Sequence, residues 1–233
     1  MNVHKNGLKK VNRVKKEEVI SPLNAVLAVV VTFAVWLFLT AAFYLVFGYG
    51  VTVIVSELLV MIVPLGYMLL KNIDIGSYIG LGIKPQNVLL GITLGGLLFF
   101  IDTIVSVVLI SIMGPSQVVE ESNKMLMDLS SSPSGLLSVI IGLSLTGVCE
   151  EFTFRCFLQN TINRRYSFIP SLLISSLAFG LFHIDPQLLL TIGTFLLGLV
   201  LGYIYHHWHS YITSVVTHST LNLIILAIAL LAR

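Results

Sequence analysis

Glu150, Glu151 and Arg155 stand inside a stretch from Leu136 to Phe157 that is otherwise almost wholly apolar or small. A carboxylate in a partly dry setting is suited to act as general base on water. Glu151 and Arg155 are four residues apart in the favourable acid-first order, so on a helix the guanidinium holds Glu151 ionised. Glu150, one residue earlier, points about 100° away from that pair and is left for another partner. Two further apolar stretches each carry one histidine, His183 and His218, and Asn222 follows His218 by four residues. Imidazoles share protons or ligate a metal, and an imidazole or carboxamide donates to an oxyanion. The bland alternative for Glu150, Glu151 and Arg155 is a polar clamp between helices. For His183, just before Asp185-Pro186, it is an interfacial cap.

These residues matter because of the elements that must carry them. Of the 233 residues, 56% are hydrophobic and 10% charged, against roughly 25% charged in a soluble domain. The composition is that of a polytopic membrane protein. A charge near the bilayer centre costs roughly 2.5–3.5 kcal/mol on insertion scales, so intramembrane charges mark function by default. Seven hydrophobic segments approach the roughly 20 residues needed to cross a bilayer. They run over 23–47, 51–70, 88–113, 136–163, 168–184, 187–205 and 211–232. Gly48-Tyr49-Gly50 joins the first two; a polar connector covers 71–87, and a polar loop with Glu120, Glu121, Lys124 and Asp128 precedes the turn at 130–133.

Charge tests the count. With the N-terminus inside, the cytoplasmic segments hold ten Lys/Arg: Lys5, Lys9, Lys10, Arg13, Lys15, Lys16, Lys71, Lys84, Arg164 and Arg165. The other side holds Lys124 and Arg233, and Arg155 is intramembrane. Ten against two supports seven spans with a cytoplasmic N-terminus, in the cell membrane. The basic arm also suits anionic lipid. The first segment is too long for a signal-peptide core and reads as a retained span. The division expected is a basic arm (1–20), a three-span region (21–135) and a core (136–233).

Depth is consistent across the motifs. Glu150 lies fourteen residues before Arg164, roughly 21 Å at the helical rise, and His183 a similar height above Phe168. His218 lies nine residues past His209, roughly 14 Å, so tilt or a kink must close the difference. Other polar groups carry less. Cys149 and Cys156 lie seven apart on one helix, too far for a disulfide, and read as packing residues. The run from His206 to His209 contains Trp208 and reads as an interfacial anchor. Glu57 and Asp102 sit in the second and third spans with no role assigned. Gly91/Gly95 and Gly198/Gly202 fit close helix packing. No phosphate loop or nucleic-acid patch is present.

The segment Glu150-Glu151-Phe-Thr-Phe-Arg155 resembles the E-E-x-x-x-R motif of the CAAX protease and bacteriocin-processing family, also called the Abi family. Phe179-Gly-Leu-Phe-His183 is similar to its second motif, F-x-x-x-H, and His218-Ser-Thr-Leu-Asn222 to its third, H-x-x-x-N/D. The Gly198–Tyr203 stretch resembles the segment ahead of that third motif. The likeness covers about 136–225. It implies an all-α transmembrane bundle of about seven spans, with the last four enclosing an intramembrane endopeptidase site. By that likeness Glu150 and His183 activate water, His218 and Asn222 stabilise the oxyanion, and Glu151 and Arg155 shape the site. The family's metalloprotease label implies one divalent ion, zinc, for which Glu150, His183 and His218 are the candidate ligands; a metal-free, glutamate-activated water is the other reading. The expected partners are membrane lipids and a membrane-associated protein or peptide substrate, with no nucleic acid. The rivals are a catalytically silent scaffold or bacteriocin-immunity protein of the same family, and a proton-coupled transporter. The repeated halves usual in transporters are missing from the sequence.

Overall fold

The computed structural model describes residues 20–232. The expected basic arm therefore lies outside the described residues except for Ile20. Every described element is helical: α1 (Pro22–Phe47), α2 (Tyr49–Leu70), α3 (Ile75–Ile79), α4 (Pro85–Met113), α5 (Gln117–Leu129), α6 (Pro133–Glu150), a π-helical segment (Glu151–Gln159), α7 (Asn160–Asn163), α8 (Phe168–Phe182), α9 (Leu189–Trp208) and α10 (Tyr211–Leu231). Local chemistry sets several starts. Pro22, Pro85 and Pro133 begin their helices, where a missing N–H costs nothing. Ser21, Ser132 and Ser210 cap theirs by accepting a backbone N–H.

The chain is an all-α polytopic membrane protein. Six helices are long and apolar enough to cross a bilayer, the fourth running unbroken from Pro133 to Asn163 through the π-helical segment. The fifth expected span, α8, has 15 residues, about 22 Å, and stops short of a hydrocarbon core about 30 Å thick. The stretch read as a polar loop contains the amphipathic helix α5, none of whose residues is buried. Its signal is Val118, Met125, Leu126 and Leu129 recurring at helical spacing. Its four charged residues masked that pattern.

Contacts between connectors fix the ends of the bundle. Asn160 donates to Tyr78 O, and the Tyr211 amide donates to Gly80 O. The connectors at 71–84, 164–167 and 206–210 therefore share one end, with Lys71, Lys84, Arg164 and Arg165. At the other end Gln187 donates to Pro115 O. Burial at that first end also shifts two groups: the Tyr78 hydroxyl titrates above its ordinary range and His209 below its own.

Glycines set the closest approaches. A Cβ at Gly91 would lie 2.6 Å from Val216, and one at Gly95 2.6 Å from Thr220 and 2.7 Å from Thr217 O. These notches seat α4 against one face of α10 and leave the face bearing His218 for α6. Gly198 and Gly202 do the same between α9 and its neighbours Ser176, Leu172 and Gln159. At the centre lies the π-helical segment, buried at every residue.

Candidate active site

A π-helical turn misaligns backbone carbonyls, which then need other partners. Helix α8 supplies one such partner, and side chains of the segment bond in turn to carbonyls of α2 and α9. Ser175 of α8 donates to Phe154 O at 2.7 Å, while Thr153 donates outward to Val60 O of α2 at 2.9 Å. Gln159 donates to Gly202 O of α9 at 2.8 Å. Small residues bring α10 close on the other side. A Cβ at Gly147 would meet Ser219 Oγ and lie 2.9 Å from Val215 O, and Ser219 donates to Ser144 O. His218, one residue before Ser219, is thereby set beside the two glutamates.

The result is a buried chain of charge. Arg155 Nε lies 3.5 Å from Glu151 Oε2, both side chains having no solvent exposure. The guanidinium carbon sits 4.3 Å from the centre of the Phe179 ring, a favourable seat for a desolvated cation. Glu151 Oε1 accepts from His218 Nδ1 at 3.0 Å. His218 Nε2 lies 3.7 Å from Glu150 Oε2, and His183 Nε2 lies 3.6 Å from Glu150 Oε1. His183 Nδ1 is 2.9 Å from Phe179 O.

These partners fix the tautomers. Phe179 O can only accept, so His183 Nδ1 carries hydrogen. Glu151, paired with Arg155, is a carboxylate, so His218 Nδ1 also donates. Both Nε2 atoms of the neutral rings then present lone pairs to Glu150. Three acceptors converge on one small volume, and they need hydrogens between them. A water, or a proton on one ring, supplies those. His183 is the most open member, its side chain 27% exposed against 8% for Glu150 and 4% for His218.

Asn222 stands one turn beyond His218, and its amide nitrogen is 3.5 Å from Leu143 O of α6. It is not hydrogen-bonded to either glutamate. The sequence expectation left Glu150 and the Glu151–Arg155 pair with separate partners. Instead both carboxylates bracket one imidazole, and Glu151 is the link between Arg155 and His218. That link needs two helices in register, so no spacing within one motif announces it. Gly147, three residues before Glu150, was the available signal for the close approach.

Glutamate with two histidines is also the donor set of an open zinc site. Here the carboxylate lies between the imidazoles, each of its oxygens facing one ring. Among the described residues no group of three His, Cys, Asp or Glu side chains is arranged to hold a metal ion. Glu57 lies on α2 between Val53, which packs on Gly142, and Val60, which accepts from Thr153. It is therefore level with the approach to Glu150. Asp102 lines a separate, largely apolar groove of about 260 Å³ between α4 and α9. His206 stacks on Phe168 and His207 on Tyr203, so the two rings diverge. Cys149 and Cys156 are free and buried.

Residues 132–224 match the family model of type II CAAX prenyl endopeptidase Rce1-like proteins. This segment, about two fifths of the chain, is similar to the CAAX-protease-like family of intramembrane endopeptidases. The matched residues start at Ser132, the cap of α6, and take in Glu150, Glu151, Arg155, His183, His218 and Asn222. No curated protein and no solved structure matches the chain.

Proposed function

We propose that the protein is an endopeptidase that hydrolyses a peptide bond of a membrane-associated protein or peptide, using a water activated by Glu150. The observation that carries this reading is the convergence of Glu150, His183 Nε2 and His218 Nε2 as three acceptors, at 3.6 and 3.7 Å. A water between them donates its two hydrogens to Glu150 and His183 Nε2 and directs an oxygen lone pair at the scissile carbonyl. As the C–O bond forms, Glu150 takes the proton, with His183 sharing it. His218 has Glu151 as a built-in counter-ion, so before the reaction its Nε2 takes up a proton from solvent, which it then donates to the oxyanion. Asn222 Nδ2, one turn further along α10, adds a second donor. Collapse of the tetrahedral intermediate breaks the C–N bond, and the proton on Glu150 passes to the leaving amine. Arg155 keeps Glu151 charged throughout.

The sequence likeness supports a substrate similar to those of CAAX prenyl endopeptidases, presented from the bilayer. The gathering of Lys71, Lys84, Arg164 and Arg165 at one end supports a cytoplasmic N-terminus in the cell membrane. The deciding experiment is proteolysis of a lipidated reporter peptide in liposomes by wild type and Glu150→Gln, before and after exhaustive chelation. The expected result is turnover by wild type that survives chelation and is lost in the variant. Equal turnover by Glu150→Gln ends the reading, and loss on chelation restored by zinc replaces it with a metal-dependent one.

A further inference from the structure

The connector after α8 holds a buried carboxylate that the proposed chemistry does not use. Asp185 is 2% exposed, although Ile184 before it is 61% exposed and Leu188 after it 47%. Its Oδ1 accepts from the Leu190 and Thr191 amides at 3.1 and 3.2 Å, and lies 3.2 Å from Thr191 Oγ1. The Asp185 amide in turn donates to Thr191 Oγ1 at 3.2 Å. Thr191 Oγ1 also lies 3.2 Å from His183 O. We infer that Asp185 is a positioning residue for His183, acting through the Thr191 hydroxyl on the histidine's own carbonyl.

The proton count favours this direction. A threonine hydroxyl has one hydrogen to give, and here two acceptors compete for it. Oδ1 of Asp185 is already supplied by two N–H groups from the start of α9, where the helix dipole favours a negative charge. The hydroxyl hydrogen is therefore available to His183 O, while the hydroxyl lone pair takes the Asp185 N–H. His183 needs this support because it stands where α8 ends, with φ −110° and ψ 30°, outside the helical range. Its ring is hydrogen-bonded to Phe179 O, meets the Phe179 ring edge-on and faces Glu150. Non-helical backbone within the bilayer must find its partners inside the protein, and the clamp supplies them for the 183–191 connector. Leu188, at φ 57°, completes the turn and donates to Asp185 O. A misplacement of a reacting group by about 1 Å can cost about 10²-fold in rate.

This inference rests on His183 acting beside Glu150, so the test includes an arm that needs no turnover. Asp185→Ala, Asp185→Asn and Thr191→Val are compared with wild type in detergent micelles. In proteins with ¹⁵N-labelled histidine, the His183 signals are assigned by their loss in His183→Gln. Wild type and Asp185→Asn, which keeps an Oδ1 acceptor, should show His183 as a single Nδ1–H tautomer. Asp185→Ala and Thr191→Val should show a mixture of tautomers at unchanged folded yield. In the reporter-peptide assay the same two variants should lose about 10–10²-fold in kcat with KM unchanged, and Asp185→Asn should recover most of it. Unaltered His183 signals in Thr191→Val overturn the inference even if Asp185→Ala does not fold. Absence of wild-type turnover would count against the protease reading alone, because the tautomer arm still reports on the clamp.

Discussion

Helix α4 and the segment from Glu150 to Ile162 are both long helical passages through the bilayer, yet they are built for opposite solvents. Of the 29 residues of α4 only Gly91, Gly95 and Leu98 are buried. Phe100, Ile104 and Ile112 stand on its open face, where lipid is as good a solvent as protein. Every residue from Glu150 to Ile162 is buried, including two carboxylates, a guanidinium, Gln159 and Asn160. Of these two passages the enclosed one is the more polar. Apolar side chains need no protein around them in a membrane, whereas charges and unpaired carbonyls do. What is enclosed is the part that lipid cannot solvate.

Substitutions can break or sharpen that contrast. The largest effect belongs to Glu150→Gln, which keeps size and removes the base. Proteolytic rate should fall by about 10²–10⁴-fold, measured beside a thermal melt that stays within a few degrees of wild type. Next comes Arg155→Ala, which leaves Glu151 buried without its counter-ion. A loss of about 3–5 kcal/mol is expected from breaking a buried pair on one side, read as folded yield and melting temperature in detergent. An unaffected melt would show that the pair is dispensable to the enclosed segment.

Asn222→Ala should lower kcat by about 10²-fold if its amide serves the oxyanion, with stability little changed. A rate within threefold of wild type would remove Asn222 from the site. Gly147→Ala should cost about 1–3 kcal/mol through overpacking against Ser219 and Val215 and should shift His218 away from Glu151. Normal stability and activity in that variant would mean that α6 and α10 need no glycine contact. The smallest effect is expected on α4: Ile104→Leu should stay within about 0.5 kcal/mol. A large loss there would place a protein partner where lipid is expected.

Much of this was written in the chain. Hydropathy located the spans to within a few residues, and the structure starts three of them at Pro22, Pro85 and Pro133, where a helix start with no N–H to satisfy is a local event. The i,i+4 spacing of Glu151 and Arg155 predicted their pairing for the same reason, and the pair forms within one helical passage at 3.5 Å. Helix α5 was read as loop, since its periodic apolar residues are diluted by Glu120, Glu121, Lys124 and Asp128. The length of α8 was also overestimated: Ile184 continues the apolar run, but the chain turns at His183 once Asp185 is claimed by the start of α9.

The amino-acid sequence by itself determined that this protein lives in a membrane, where its six long apolar helices lie, and that Glu150, Glu151 and Arg155 must be hidden there. Those are consequences of composition, local propensity and the cost of charge in hydrocarbon. Only the tertiary structure decided how the hidden residues meet. The π-helical turn at Glu151–Gln159, the Gly147 notch against α10 and the connector after His183 bring Glu151 onto His218 and Glu150 between two imidazoles. Each depends on a backbone carbonyl or a missing Cβ in one helix finding its complement in another. That complementarity is a property of the packed helices together and is present in none of their sequences alone.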